Sequence, residues 1–402
     1  MYNKRITRGA AIRLAPLLFS VVFTCIIGCS GKHVAPVSSC TEDHGAVVPL
    51  KISTGHTLRL YLDSSLVIGV QTPVDYVERS HSLMVFDSYN KRLLEYPLAD
   101  TATPLLPRNT QAVPVDQKIT FMRYLNRDSV LLYAYGAFKL YCYSMNRDSV
   151  YSDWSFIRKG LQPSHAFNPA FPNAGNAAPI IFRGNDIIGT GYLIGEHESD
   201  VPAGRTICSI VHLSDGKVDY KVPYPKVYHS GNWGGVHMRT PYAAYNETEG
   251  KLLLSLPADH YLQVIDSSWQ IHSVYAGTRD QQCITATALP KGHKKMEDPD
   301  EALRYFTATP SYRNIIYDQY HHRYYRLLQL PPPPEELDAE QIGEKHAKII
   351  AFDKDYQYLG EAALPKGLVL DNFFLTSDGL YFLNAANHDQ NIAQYVQIKM
   401  VL

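Results

Sequence analysis

The residues best suited to chemistry lie between Pro225 and Thr240: His229, Asn232, Trp233, His237 and Arg239, with Gly231, Gly234 and Gly235 among them. Two imidazoles, a guanidinium and an indole in so short a span suit a sugar or a peptide end. The indole would cover an apolar face while the polar groups fix orientation. The same composition also fits a Gly-rich loop packed over a channel mouth. A second stretch, Leu161–Ala178, carries His165, Asn168, Asn173 and Asn176. Carboxamides there can hydrogen-bond a polyhydroxylated ligand, or simply close turns. The candidate ligand-binding residues are therefore His165, Asn168, His229, Asn232, Trp233, His237 and Arg239.

Other clusters point to less. Glu196-His197-Glu198-Ser199-Asp200 has metal-ligand side chains, but consecutive residues of a strand or turn point in different directions, so a solvated acidic loop is expected and no metal. His321-His322-Arg323 reads as a surface turn. Lys291–Asp300 reads as a mixed-charge loop, and Pro331–Pro334 as a stiff segment leading into a short helix. The chain contains no G-x-S-x-G elbow, H-E-x-x-H motif, P-loop or dinucleotide fingerprint. No catalytic residue and no cofactor is expected. Basic and acidic residues number 38 and 39 with no basic patch, which argues against nucleic acid as a partner.

The elements that must hold these loops are strands. Asn-Arg-Asp-Ser-Val occurs at Asn126–Val130 and again at Asn146–Val150, inside the Tyr-, Leu- and Val-rich stretch Ile119–Trp154. This predicts four short strands joined by tight turns. Both faces of Phe138–Met145 are mainly apolar, as in a sheet stacked between two others. A four-stranded sheet covered on both sides is the unit of a β-propeller. An apolar residue, Asp or Ser, a polar turn and an apolar strand recur at Phe86–Tyr96, Tyr143–Val150, Leu213–Tyr220, Ile265–Ile271 and Phe352–Leu359, read as the outer hairpins. Tyr245–Leu254, Tyr317–Arg326, Phe182–Ile188 and Leu375–Phe382 read as inner hairpins. Units ending near Pro97, Trp154, Val222, Tyr275, Leu364 and Leu402 give an all-β, six-bladed propeller, with seven blades as the alternative. Six long connections, Ala99–Lys118, Lys159–Ala178, Ile194–Thr206, Pro225–Arg239, Gly277–Leu303 and Pro331–His346, would all emerge on one face of the disc, where binding is expected.

The N-terminus is a targeting segment. Lys4, Arg5, Arg8 and Arg13 precede the apolar run Leu14–Gly28, which ends Ile26-Ile27-Gly28-Cys29 and resembles a bacterial lipobox. Residues 1–28 are expected to be a lipoprotein signal peptide and Cys29 the lipidated N-terminus. Residues 29–46 are expected to form a flexible tether and 47–402 the propeller. Neither an Asp after Cys29 nor an acidic cluster follows, which favours an outer-membrane lipoprotein at the periplasmic face or cell surface. Losing the four basic leader residues leaves 34 basic against 39 acidic groups. Cys40, Cys142, Cys208 and Cys283 form no metal spacing, and an oxidising compartment permits disulfides. Cys142 and Cys208 lie within strand patterns and read as core.

The lipobox, the Tyr-rich meanders and the Tyr317-Asp318…Tyr324-Tyr325-Arg326 hairpin resemble a Bacteroidetes family of lipoproteins of unknown function with propeller-like repeats. That resemblance implies a propeller fold over most of the mature chain and brings no activity. The expected function is a cell-envelope binding or scaffold module, anchored to a membrane through its lipid, for a carbohydrate, peptide or protein partner. The alternative is an envelope glycan hydrolase or lyase using His165, His229, His237 and Arg239 near the channel mouth.

Overall fold

A computed structural model describes residues 37–99, 103–158, 169–193, 204–280, 282–287, 298–333, 345–387 and 389–401. Among the described residues six antiparallel sheets of four or five strands are the blades of a propeller, so six and not seven is the number of blades; a further two-stranded sheet lies outside them. From the channel outward, blade one is Val74–Val77, Ser82–Asp87, Arg92–Pro97 and Asn109–Ala112. Blade two is Ile119–Asn126, Ser129–Ala134, Lys139–Ser144 and Ser149–Ser155, the meander expected from the repeated pentapeptide. Blade three is Ile181–Arg183, Asp186–Tyr192, Thr206–His212 and Val218–Pro223, with Phe171–Pro172 also paired to its second strand. Blade four is Tyr242–Asn246, Lys251–Ser255, Tyr261–Ile265 and Ile271–Tyr275; blade five is Ser311–Asp318, Arg323–Leu330, His346–Phe352 and Tyr358–Ala363. Blade six takes Leu368–Thr376, Gly379–Asn384 and Ile392–Val401 from the end of the chain. Its outer strand, Lys51–Tyr61, comes from the beginning, in register from Lys51 opposite Val401 to Tyr61 opposite Ile392.

Turn chemistry explains the hairpins. In the turn after blade four's third strand, Asp266 Oδ1 accepts from the backbone N–H of Ser268 and of Gln270, each at 2.9 Å. Asp353 does the same for Asp355 and Gln357 in blade five. The two copies of the pentapeptide lie side by side at the edge of blade two. Asn126 Oδ1 accepts from the Asp128 N–H at 2.8 Å, and Asp128 Oδ1 accepts from the Ser144 hydroxyl at 2.9 Å. The core fills the spaces between blades. Met84, Phe86 and Leu93 of blade one meet Met122, Leu132 and Tyr143 of blade two. Each such side chain contributes on the order of 2 kcal/mol by leaving water. Cys142 and Cys208 are buried and free, as core residues should be.

Two details differ from the sequence reading. Phe86–Tyr96 joins the second and third strands of blade one, not the third and fourth. The fourth strand, Asn109–Ala112, lies inside the expected long connection Ala99–Lys118. Local turn chemistry is the same in either hairpin, so the reading slipped by one strand. Blade one's long connection therefore joins its third and fourth strands and falls on the hairpin face; the described ends of the other five long connections lie on the opposite face. The second difference is a helix, Pro299–Thr307, which starts in the expected connection Gly277–Leu303. Its N-cap Asp298 accepts from the Asp300 N–H at 2.9 Å, and Pro299 stands at its first position.

Residues 37–46, the described part of the expected tether, lie along the long-loop side of blade four. Ser38–Cys40 pairs with Cys283–Thr285, a disulfide joins Cys40 to Cys283, and the His44 ring lies tilted against that of Tyr275, centroids 3.8 Å apart.

Candidate functional site

The first strands of neighbouring blades stand side by side around the channel. On the long-loop face they frame a cavity of about 370 Å³. Thr120, Tyr242, Arg313 and Asp371, all near the entry ends of inner strands, line it with Gln71, Tyr135, Asn176, Tyr192 and His237. A narrow strip, Asn173–Ala178, reaches over from the connection between blades two and three to form its floor. Asn176 fixes that strip: its Oδ1 accepts from the Val74 N–H and its Nδ2 donates to the Thr72 carbonyl, both at 3.2 Å. Its carboxamide thus ties the floor to blade one.

At the centre, the Arg313 guanidinium donates to Asp371 Oδ2 and lies 5.0 Å from the Tyr242 ring centroid. The neighbouring carboxylate holds this guanidinium firmly charged against the cost of burial. Three polar atoms of this lining, Thr120 Oγ1, Arg313 Nε and Asp371 Oδ1, are buried without a hydrogen-bond partner. Unmet polar groups along a cavity wall are what a polar ligand satisfies. His237 stacks on Phe306 of the helix at 5.1 Å and opens to solvent at the rim. Burial of the rest of the ring, with Arg313 and Lys345 nearby, holds its imidazole below the ordinary value and so neutral at pH 7. Lys345 anchors the helix end behind it, donating to the carbonyls of Phe306 and Thr309 at 2.8 and 2.6 Å.

Of the candidate residues, His237 alone lines this cavity; His165 and Asn168 lie outside the described residues. Trp233 is no ligand platform: it is 1% exposed, and its Nε1 donates to the carbonyls of Val227 and Ser230 at 3.0 Å. Asn232 is buried, its Oδ1 accepting the Gly234 N–H at 3.0 Å. Gly234 must be glycine, since its φ is +76° and a Cβ would stand 2.3 Å from the Tyr305 ring. His229 is exposed and turned back to the Tyr224 carbonyl at 3.1 Å. Arg239 is buried, and its carbonyl accepts from the Tyr224 hydroxyl at 2.9 Å. The stretch is thus mainly a packed wall beside the mouth, and it does not bring two imidazoles and a guanidinium together. The expected lipidation site Cys29 and the acidic loop Glu196–Asp200 also lie outside the described residues. His321 is half exposed in its hairpin turn, where its Nδ1 meets Asp318 Oδ2 at 2.8 Å.

Sequence reasoning missed Arg313, Asp371, Tyr135, Tyr192 and Tyr242. The entry ends of inner strands are where such residues had to be. The Thr-Pro pairs at 240–241 and 309–310, just before two of those strands, were the available signal.

Residues 171–363 match the family model DUF4221, a domain of unknown function. The chain is similar to a solved DUF4221 member from Bacteroides vulgatus at 17% identity, with a TM-score of 0.68 over 88% of this chain and 99% of that one. It is also similar to a Bacteroides fragilis protein described as exported (12% identity, TM-score 0.49, 89% and 98% covered). Virginiamycin B lyase from Staphylococcus aureus follows at 10% identity and TM-score 0.41, with 86% and 99% covered. No curated protein matches at a significant level. The match to a family model of unknown function and the propeller fold agree with what the sequence resemblance implied.

Proposed function

We propose that this DUF4221-type propeller is a binding module of the cell envelope that holds a carbohydrate or a short peptide at the channel mouth on its long-loop face. The observation that carries this reading is the lining of the 370 Å³ cavity: tyrosines, carboxamides and an Arg313–Asp371 pair, with buried polar atoms left unmet. Such a wall offers flat apolar faces and directional hydrogen bonds to hydroxyl or peptide groups. The basic leader and the lipobox ending in Cys29 support an envelope address and a lipid anchor, with the outer membrane as the proposed site. No helix among the described residues is long and apolar enough to cross a membrane.

Glycan hydrolysis or elimination is the weaker reading. Among the described lining residues the only carboxylate is Asp371, and Arg313 engages one of its oxygens. Acid–base chemistry on a glycan needs a second group free to exchange a proton across the substrate.

The test is a glycan and peptide array probed with residues 30–402, followed by titration calorimetry. The expected result is saturable binding that weakens at least tenfold in a Gln71→Ala, His237→Ala double variant. Both positions are exposed, so the fold is kept. Binding indifferent to both changes, or a blank array, refutes the assignment.

A further inference from the structure

Below the floor strip the channel opens again. A second cavity of about 450 Å³ faces the hairpin side and is lined by the middle and exit ends of the inner strands. Its chemistry differs from that of the mouth. Tyr76, Phe121, Tyr124, Tyr317, Phe373 and Phe374 supply aromatic surface. Asp75, Glu78 and Arg123 are its ionisable lining residues besides the tyrosines, and Arg123 is drawn outward to Glu247, 3.0 Å away. Asp75 stands on the innermost strand of blade one. One of its oxygens accepts from the Tyr124 N–H at 2.6 Å. Asp75 lines the cavity, and among the described residues no other hydrogen bond to its carboxylate is found.

We propose that this lower cavity is a binding site for an alkylammonium group, with the Asp75 carboxylate as counter-ion and the surrounding rings as its walls. The electron-rich faces of tyrosine and phenylalanine attract a cation, and a carboxylate inside an aromatic enclosure adds a directional partner for N–H groups. An anion meets the opposite conditions, because the one guanidinium present is already paired. The carboxyl is poised for such a partner. Burial pushes it up to about 7, against the smaller opposing effects of the Tyr124 N–H and Arg123. A bound cation supplies the positive charge that the protein withholds. The other groups around the lining are Glu78 on the same blade, Asp378 from the hairpin of blade six, Tyr320 from that of blade five, His81 with its Nδ1 2.9 Å from the Tyr76 hydroxyl, and His322 with its Nδ1 3.2 Å from the Tyr317 hydroxyl; Arg79, Arg108 and Arg127 act on Tyr124 from farther off.

The experiment compares n-butylammonium with its neutral counterpart 1-butanol by calorimetry on residues 30–402 at pH 8. Saturable millimolar binding of the ammonium, with at least tenfold weaker binding of the alcohol, is expected. Asp75→Asn should remove that preference. In the unmodified protein the ammonium affinity should fall roughly tenfold or more between pH 8 and pH 5.5, as the carboxyl takes up its proton. This second measurement decides the question even if the variant folds poorly. Equal affinity for amine and alcohol, no saturable amine binding, or an affinity unchanged with pH overturns the proposal. The outcome is distinguishable from ligand binding at the mouth, because Asp75 lines only the lower cavity and Gln71 and His237 only the upper.

Discussion

Arg326 is the residue whose replacement should damage the molecule most. It stands on the second strand of blade five, fully buried, with its guanidinium under the loop that joins the second and third strands of blade four. It donates to the carbonyls of Asp259 at 2.7 Å, His260 at 2.9 Å, Ala276 at 3.1 Å and Leu256 at 3.5 Å, and to the Ser255 hydroxyl at 2.9 Å. It also lies 3.8 Å from the Tyr312 ring centroid. In Arg326→Met the apolar stem is kept and all five donors are lost. A buried carbonyl left without a donor costs about 1–3 kcal/mol. The Leu256 and His260 carbonyls keep backbone donors, the N–H groups of Asp259 and Ala276, while the Asp259 and Ala276 carbonyls lose theirs and together cost about 2–6 kcal/mol. Part is offset because a buried cation no longer has to be desolvated. A net loss of about 3 kcal/mol is expected, a large share of the 5–15 kcal/mol typical of a folded domain. Urea unfolding of the two proteins measures it, and hydrogen exchange should show the amides of 256–260 losing protection first. Arg326→Lys, with three donors and no planar fork, should fall between them. If the Met variant is within about 1 kcal/mol of the parent, the loop does not depend on the guanidinium and the reasoning fails.

Three further outcomes are expected. Burial holds His260 down at about 4, with its ring bonded to the Tyr312 hydroxyl and the Ser39 carbonyl at 2.7 and 3.0 Å. Its neutral form therefore stabilises the fold above pH 6.5, and up to about 3 kcal/mol is lost as pH falls from 6.5 to 4. Asp259, raised to about 6 by burial, has the opposite slope, so the measurement is the difference between the parent and His260→Gln across that range. Gly234→Ala should cost at least about 2 kcal/mol in thermal unfolding, from the +76° φ and the contact with Tyr305. Reduction of Cys40–Cys283 should expose residues 37–46 to protease while the blades stay folded, because the bridge fastens a segment outside every blade. Global unfolding on reduction would contradict this.

Blade two was legible almost residue by residue, because its strands are consecutive and its turns carry Asn and Asp. Blade one was not. The Asp87 turn, with the Tyr89 and Asn90 N–H groups on its Oδ1, is built like the outer-hairpin turns yet belongs to the middle of the sheet. The strand Asn109–Ala112 has no apolar alternation and is mostly exposed, so nothing local announced it. The helix at Pro299 had a readable start in Asp298-Pro299-Asp300-Glu301, obscured by the charged residues before it. At the site, Trp233 and His229 drew attention by residue type, while Arg313 and Asp371, 58 positions apart, came together only through the ring. Composition identifies which loops are unusual; closure of the disc determines which side chains meet.

That closure has a consequence for biogenesis. The strand Lys51–Tyr61 leaves the ribosome before all the blades, and its partner Ile392–Val401 leaves it only after five of them. An early-made segment must therefore remain available, without pairing wrongly, through the synthesis of five intervening blades. Assembly of the circle is an end-to-end event of high contact order and is expected to be the slow step. It also leaves the described ends of the propeller strands adjacent. The chain could therefore be joined across that seam and reopened at a hairpin such as Asn126–Ser129, giving a permuted protein in which the same seam is an ordinary hairpin. Faster refolding of such a permutant would measure directly how long the natural chain waits for its last strand.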